Sequence, residues 1–298
     1  MTAPIHDIIV CGSLHLDIML YAPALPRLDE TVAGSRWEQT CGGKGGNQAV
    51  MAARAGARTA MIGRVGEDAF GRKLLRNLTE AGVDASEVHV DKEVGSGMSA
   101  AIVQNDGDYG AVIVSGANLH ISAEAVEGQL RSLGGARVLV LQNEIPESVN
   151  VAAATAARAL GARVVLNAAP ARLMTEALLT LVDVLVVNRV EAAMLTGRSV
   201  EGRAQAIEAA QTLRSGRQVV IVTLGGDGLV VQAVDSKPNW IPAKAVQVVS
   251  THGAGDCFVG TLSARLAAGD TPQEAASVAN VAAGRHVGQL GQTADARA

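Results

Sequence analysis

The stretch Ser250-Thr251-His252-Gly253-Ala254-Gly255-Asp256 sets a carboxylate at the end of a Gly-Ala-Gly turn. A mostly β-branched run at 246–249 leads in, and an amphipathic run with Phe258, Val259, Leu262 and Leu266 leads out. The pattern is strand, tight turn, helix. Such a turn leaves backbone N–H groups free at the positive end of a helix dipole, which makes an anion site. A carboxylate there can take a proton from a hydroxyl while neighbouring amides stabilise charge on a transferring phosphoryl group. Asp also favours helix N-termini as a plain cap, and the motif alone fits both readings.

A second stretch, Gly42-Gly43-Lys44-Gly45-Gly46-Asn47-Gln48, opens an alanine-rich helical run at 49–55. It is not a Walker A loop, because Lys44 is followed by Gly and not by Ser or Thr. Its glycines let the backbone approach a ligand, and Lys44 and Asn47 offer donors suited to hydroxyls or phosphates. Gly63-Arg64-Val65-Gly66-Glu67-Asp68-Ala69-Phe70-Gly71 is a further glycine-punctuated turn after a short strand.

Five more motifs bring the series to eight in chain order: Gly12-Ser13-Leu14-His15-Leu16-Asp17, Gln142-Asn143-Glu144-Ile145-Pro146, Asn167-Ala168-Ala169-Pro170-Ala171, Asn188-Arg189-Val190-Glu191 and Thr223-Leu224-Gly225-Gly226-Asp227-Gly228. The series resembles the ribokinase (PfkB-type) family of sugar and nucleoside kinases over nearly the whole chain. That resemblance implies a three-layer α/β/α sandwich with a mainly parallel sheet and a small β-sheet lid. It also implies ATP and Mg2+ as cofactors, and phosphorylation of the primary hydroxyl of a small sugar, with D-ribose the leading acceptor.

Carried over residue by residue, the resemblance makes Asp256 the catalytic base, with Gly253, Ala254 and Gly255 donating amides to the phosphoryl group. His15, Asp17, Gly43, Lys44, Asn47 and Glu144 would hold the sugar, Asp17 from a strand-end loop. Asn188, Thr223, Gly225, Gly228, Gly255 and Asn280 would contact the nucleotide, and Glu191 would organise water around Mg2+. Plainer roles compete. Asn188 followed three residues later by Glu191 also matches a capping box. Asp17 also suits a turn, and Glu144 also suits a surface at a strand end.

Two positions depart from the family pattern. His15 stands where ribokinases typically carry Asn, and it is bulkier; with Tyr109 it keeps fructose, another pentose, a nucleoside or pseudouridine open as acceptors. Ser250 stands where many relatives carry an Asp linked to a potassium ion, so a K+ site from Ser250 and backbone around Gly291 is expected to be weakened or absent. A sugar- or nucleotide-binding sensor without turnover is the reading from another class, and the intact Asp256 and its turn favour the enzyme. A dinucleotide oxidoreductase fits poorly, since Gly12-Ser13-Leu14-His15 lacks the glycine spacing of a first Rossmann turn.

Composition narrows the classes further. The 298 residues are 48% hydrophobic and 18% charged, enough for a large core. They contain no run of about 18 apolar residues, and His6 and Asp7 precede the first strand where a secretory signal would be apolar. A net charge of -4 and a pI near 5.9 argue against a nucleic-acid surface. Cys11, Cys41 and Cys257 lack metal-ligand spacing and suit a reducing compartment. The expectation is a cytoplasmic enzyme with small-molecule partners and neither nucleic acid nor membrane.

Alternating strands and helices must position these residues. Apolar runs at 8–11, 59–62, 138–142, 164–167, 184–187 and 219–223 suit buried parallel strands, with helical stretches such as 149–160 and 203–214 between them. One α/β domain over 1–298 follows, its motifs at strand ends where open sheets place ligand crevices. Two regions break the rhythm. Residues 18–39 carry Pro23 and Pro26, then a β-leaning run; 98–104 and 111–115 are joined through Asn105-Asp106-Gly107-Asp108, a hairpin signal. They predict a small projecting sheet. The resemblance makes it a lid, from segments near 14–40 and 96–116, that covers the sugar, excludes competing water and mediates a homodimer.

Overall fold

The computed structural model describes residues 5–104, 108–216, 218–234 and 236–289. Its elements run β1 (His6–Cys11), β2 (His15–Tyr21), β3 (Arg36–Gly42), α1 (Lys44–Arg54), β4 (Thr59–Gly66), α2 (Ala69–Glu80), β5 (Asp84–Asp91), β6 (Gly97–Val103), β7 (Tyr109–Val114), α3 (Val126–Ser132) and β8 (Ala136–Gln142). The second half continues α4 (Glu147–Ala159), β9 (Arg163–Asn167), α5 (Glu176–Leu179), β10 (Val184–Asn188), α6 (Arg189–Thr196), α7 (Arg203–Leu213), β11 (Val219–Thr223), β12 (Gly228–Gln232), β13 (Asn239–Pro242), α8 (Ala254–Ala267) and α9 (Pro272–Gln289).

Nine strands form one sheet in the order β13-β12-β11-β10-β9-β8-β1-β4-β5, parallel from β11 to β5 and antiparallel at β12 and β13. Side chains alternate across it. Ile8 and Val10 pack with Met61, Leu74 and Leu262 on one face, and Ile9 and Cys11 with Leu139, Val149 and Val222 on the other. Because both faces are covered, these strands are continuous apolar runs, and helices rich in small Ala lie close against them. This is a three-layer α/β/α sandwich. Strand order reverses at β1, which β4 and β8 flank, so a crevice opens at the carboxyl ends of the strands there.

The second sheet has the order β3-β2-β6-β7. Its β6–β7 hairpin agrees with the turn signal, whose Asn105 to Gly107 lie outside the described residues. The face opposite Asp17 leaves Leu20, Trp37, Val112 and Val114 exposed. The stretch 63–71 is more strand than turn: β4 continues to Gly66, and Asp68 caps α2 through Gly71 N–H while also taking Ser96 N–H and Oγ–H.

The run at 246–249 does not form the strand expected of it. β13 ends at Pro242, and Val246, Val248 and Val249 are exposed on an irregular strap. That strap leaves the sheet for α9, where the Val287 carbonyl accepts the N–H groups of Val249 and Ser250. A high β propensity has no ladder to join there.

Candidate active site

Gly260 explains how two distant motifs meet. A Cβ there would lie 2.8 Å from Ala52 N and Gln48 O, so α1 and α8 touch backbone to backbone. Asp256, one turn before Gly260 in α8, therefore faces the first turns of α1. Asn47 Nδ2 donates to Asp256 Oδ2 at 3.0 Å, and Gln48 Nε2 donates to Oδ1 at 2.9 Å. Gln48 Nε2 also donates to Asn167 Oδ1 at 3.0 Å, while Gln48 Oε1 accepts from Gln142 Nε2 at 2.9 Å. These amides lock the carboxylate to the ends of β8 and β9. Burial pushes the Asp256 carboxyl above its ordinary range, opposed by the Lys44 charge and by the Gln48 and Asn47 donors, while Glu144 adds to the rise. A carboxylate so raised is a stronger proton acceptor than an exposed Asp.

At the turn, Gly253 adopts φ 71°, a left-handed conformation that favours glycine. The N–H groups of Gly253, Gly255 and Asp256 have no acceptor among the described residues, whereas Ala254 N–H turns back to Thr251 O at 3.3 Å. The Ala254 N–H, expected to donate outward, is engaged within the turn. A cavity of about 200 Å³ lies beside this turn, lined also by Lys44, Asn188, Glu191 and Thr223. Lys44, expected with the sugar, lines this cavity.

Asn188 and Glu191 form the capping box: Asn188 Oδ1 accepts Glu191 N–H at 2.9 Å, and Glu191 Oε2 accepts Asn188 N–H at 2.8 Å. Such a cap is worth about 1 kcal/mol. Both residues still line the cavity, so the structural role and the ligand-facing position coexist. Burial raises the Glu191 carboxyl, with the Asn188 amide and the Lys44 charge opposing it and Asp256 adding to it. Glu191, buried, and Asp256, half-buried, both feel the Lys44 charge and offer the oxygen donors that suit a hydrated Mg2+, which keeps several waters.

On the other side of Asp256, Glu144 is no surface carboxylate. Its Oε2 accepts Ser13 Oγ–H at 2.5 Å and Lys44 N–H at 2.8 Å, joining the ends of β1 and β8 to the start of α1. Asp17 lies within β2 and not in a strand-end loop; Ser99 Oγ–H on β6 donates to its Oδ1 at 2.5 Å. Gly43 is the N-cap of α1. His15 begins β2, is 5% exposed, and leaves its Nε2 without a partner. Asn143 Oδ1 and Arg172 Nε and Nη2 are likewise buried and unpartnered, and all three residues line one cavity of about 250 Å³ with Glu144. Tyr109 is 70% exposed at the outer end of β7 and does not reach that cavity.

The nucleotide and cation assignments divide. Thr223 lines the 200 Å³ cavity, whereas Gly225 and Gly228 belong to the turn between β11 and β12. Asn280 lines none of the cavities described here; its Nδ2 donates to Pro242 O at 2.9 Å and ties α9 to β13. Ser250 Oγ already accepts His252 N–H at 3.2 Å, and Gly291 lies outside the described residues. This strap offers a potassium ion an engaged hydroxyl in place of a carboxylate. Sequence reasoning assigned no role to Ser13, Gln48, Gln142 or Asn167. The available signal was polarity out of place, since Gln142 and Asn167 end apolar strands and Gln48 interrupts an alanine-rich helix.

A profile of the pfkB family carbohydrate kinases matches residues 5–298. The chain belongs to that family. It is 36% identical to the ribokinase of Mus musculus over 263 residues, which is 87% of this chain and 81% of that protein. It is 34% identical to the ribokinase of Haemophilus influenzae, over 84% of this chain and 82% of that one. Among solved structures, Arabidopsis thaliana ribokinase complexed with ribose and ATP superposes with a TM-score of 0.87 at 30% identity, covering 96% of this chain and 93% of that one. A PfkB-family sugar kinase thus carries the Asp256 cluster. No helix among the described residues is long and apolar enough to cross a membrane.

Proposed function

We propose that this kinase moves the γ-phosphoryl group of ATP to the primary hydroxyl of D-ribose, giving D-ribose 5-phosphate. The observation that carries the proposal is the position of Asp256, a half-buried carboxylate held by two side-chain amides, which lines the cavity of free backbone N–H groups and feels the charge of Glu144, itself part of a second cavity with His15. Asp17, Asn47 and Glu144 orient the sugar, and Asp256 takes the proton of the attacking hydroxyl. The amides of Gly253 and Gly255 and the Lys44 ammonium stabilise the phosphoryl oxygens as charge develops. Glu191 would hold a hydrated Mg2+, which would supply neutralisation of phosphate charge. His15 narrows the cleft where an Asn would leave room, which keeps a related pentose as the second reading.

The four-stranded sheet acts as the lid, because His15 reaches the cleft from it. Its exposed strip of Leu20, Trp37, Val112 and Val114 is proposed to meet the same strip of a second copy. Three free thiols agree with a cytoplasmic setting. The test is an ADP-formation screen over ribose, 2-deoxyribose, fructose and nucleosides, with sedimentation velocity on the same protein. Ribose is expected to give the highest kcat/KM. A nucleoside preference would overturn the ribose assignment, and no stimulation by any acceptor would overturn the catalytic role of the Asp256 cluster.

A further inference from the structure

The turn that carries the free amides is fastened from behind by a side chain to which nothing above gives a role. His286, in the last turn of α9, places Nε2 3.1 Å from the carbonyl oxygen of His252. A carbonyl can only accept, so Nε2 carries the proton in this contact. The same Nε2 lies 3.1 Å from where a Cβ on Gly253 would stand, so the imidazole fills the space behind that glycine.

The consequence lies in one peptide plane. Among the described residues only Ala169-Pro170 is cis, so the peptide joining His252 to Gly253 is trans. In a trans peptide, C=O and N–H point in opposite directions. Holding the His252 oxygen against α9 therefore turns the Gly253 N–H away from α9, toward the cavity that Gly253 lines and where that amide has no acceptor among the described residues. The strap before it is docked on the same helix, through Val249 and Ser250 N–H to Val287 O. Ser250 Oγ, which accepts His252 N–H, fixes the other side of His252.

We infer that His286 is a positioning residue for phosphoryl transfer: its Nε2–H clamps the His252 carbonyl and so aims the Gly253 amide at the transferring group. A side-chain donor of this chain thus secures the turn beside which the family resemblance places a potassium ion. In this role His286 acts through the backbone. The inference rests on the Gly253–Asp256 turn being the anion site.

The test compares His286→Gln with His286→Met, side chains of similar length of which only Gln offers an N–H donor. Deleting one anion-hole donor outright costs about 100- to 1,000-fold in kcat. Releasing the peptide that aims the donor is expected to cost at least about ten-fold in the Met variant, with sugar KM within about three-fold of wild type. The Gln variant is expected within about three-fold of wild-type kcat, at a melting temperature matching that of the Met variant. Equal kcat in the two variants, whether high or low, would reduce His286 to packing and overturn the inference. Nitrogen-15 NMR of the wild type provides a measurement that needs no variant: the neutral His286 ring is expected as the Nε2–H tautomer, and an Nδ1–H tautomer would overturn the clamp. Wild-type ADP formation is measured first. Its absence would count against the kinase reading itself, whereas a failed clamp leaves wild-type ADP formation intact and the two variants equal to each other.

Discussion

The two sides of Asp256 are built in opposite ways. Toward α1, every polar group that meets the carboxylate is engaged: Asn47 and Gln48 donate to it, and Gln142 and Asn167 hold Gln48 in turn. Toward the lid, His15 Nε2, Asn143 Oδ1 and two nitrogens of Arg172 are buried without partners. An unmet buried polar atom costs about 1–3 kcal/mol, and such atoms gather around the His15 cavity, whereas the base-side network leaves one, Gln142 Oε1. The difference separates two tasks. A base must keep one orientation through turnover, and a side-chain amide on each Asp256 oxygen supplies that. A binding cleft must gain on closure, and unmet donors and acceptors supply that gain when a polyhydroxyl ligand arrives.

The strongest way to break the base side is Asp256→Asn. Asn preserves shape but cannot take the proton, and general-base assistance is worth about 100- to 10,000-fold. Steady-state kcat is expected to fall by that range with ATP affinity little changed; retention of more than about a tenth of wild-type kcat would falsify the role.

On the cleft side, Asp17→Ala removes hydrogen bonds worth roughly 1.5–3 kcal/mol each when one partner is charged. Sugar KM is expected to rise about ten-fold or more, while an ATP analogue binds as before in calorimetry. Unchanged sugar kinetics would reduce Asp17 to a partner of Ser99.

Gly260→Ala tests whether the base depends on helix approach and not on local sequence. The added methyl would meet the backbone of α1 at 2.8 Å and push Asn47 and Gln48 away from Asp256. Overpacking of this kind costs about 1–3 kcal/mol of stability, and kcat is expected to drop several-fold. A variant with lower melting temperature but intact kcat would show that the amides are not needed to orient the base.

A smaller effect sharpens the electrostatics. Asp256 works when ionised, and burial raises its carboxyl, so kcat/KM is expected to fall on the acid side above the ordinary Asp range near 3.9. Lys44 opposes that rise, so Lys44→Met is expected to move the acid limb to still higher pH, besides lowering activity. A limb that stays in place would separate Lys44 from Asp256.

The smallest effect is expected from potassium. A KCl titration at constant ionic strength should give a shallow response in the wild type and a steeper one in Ser250→Asp, which restores a formal charge beside the turn. Saturable, strong activation of the wild type would show that the hydroxyl suffices.

Much of this protein was readable before its fold. Strand and helix alternation, the hairpin around Asn105 to Asp108 and the pairing of Asn188 with Glu191 follow from local rules, because residue period, turn chemistry and capping act over a few neighbours. Eight motifs in order identified the family and named Asp256, Asp17 and Glu144. Where local propensity had no partner in space, it misled: the run at 246–249 had the composition of a strand but lies on a strap against α9.

The residues alone therefore determined which groups are chemically competent and roughly which elements carry them. Only the tertiary structure decided which of those groups meet. Gly260 looks like any helical glycine until α1 lies against α8, and Gln48 looks like a helix-surface residue until it is enclosed among Gln142, Asn167 and Asp256. His286 is far from the turn in sequence and clamps its carbonyl across 34 residues. Such contacts depend on backbone separation and peptide orientation, set when helices pack on a sheet, and no short-range pattern encodes either quantity.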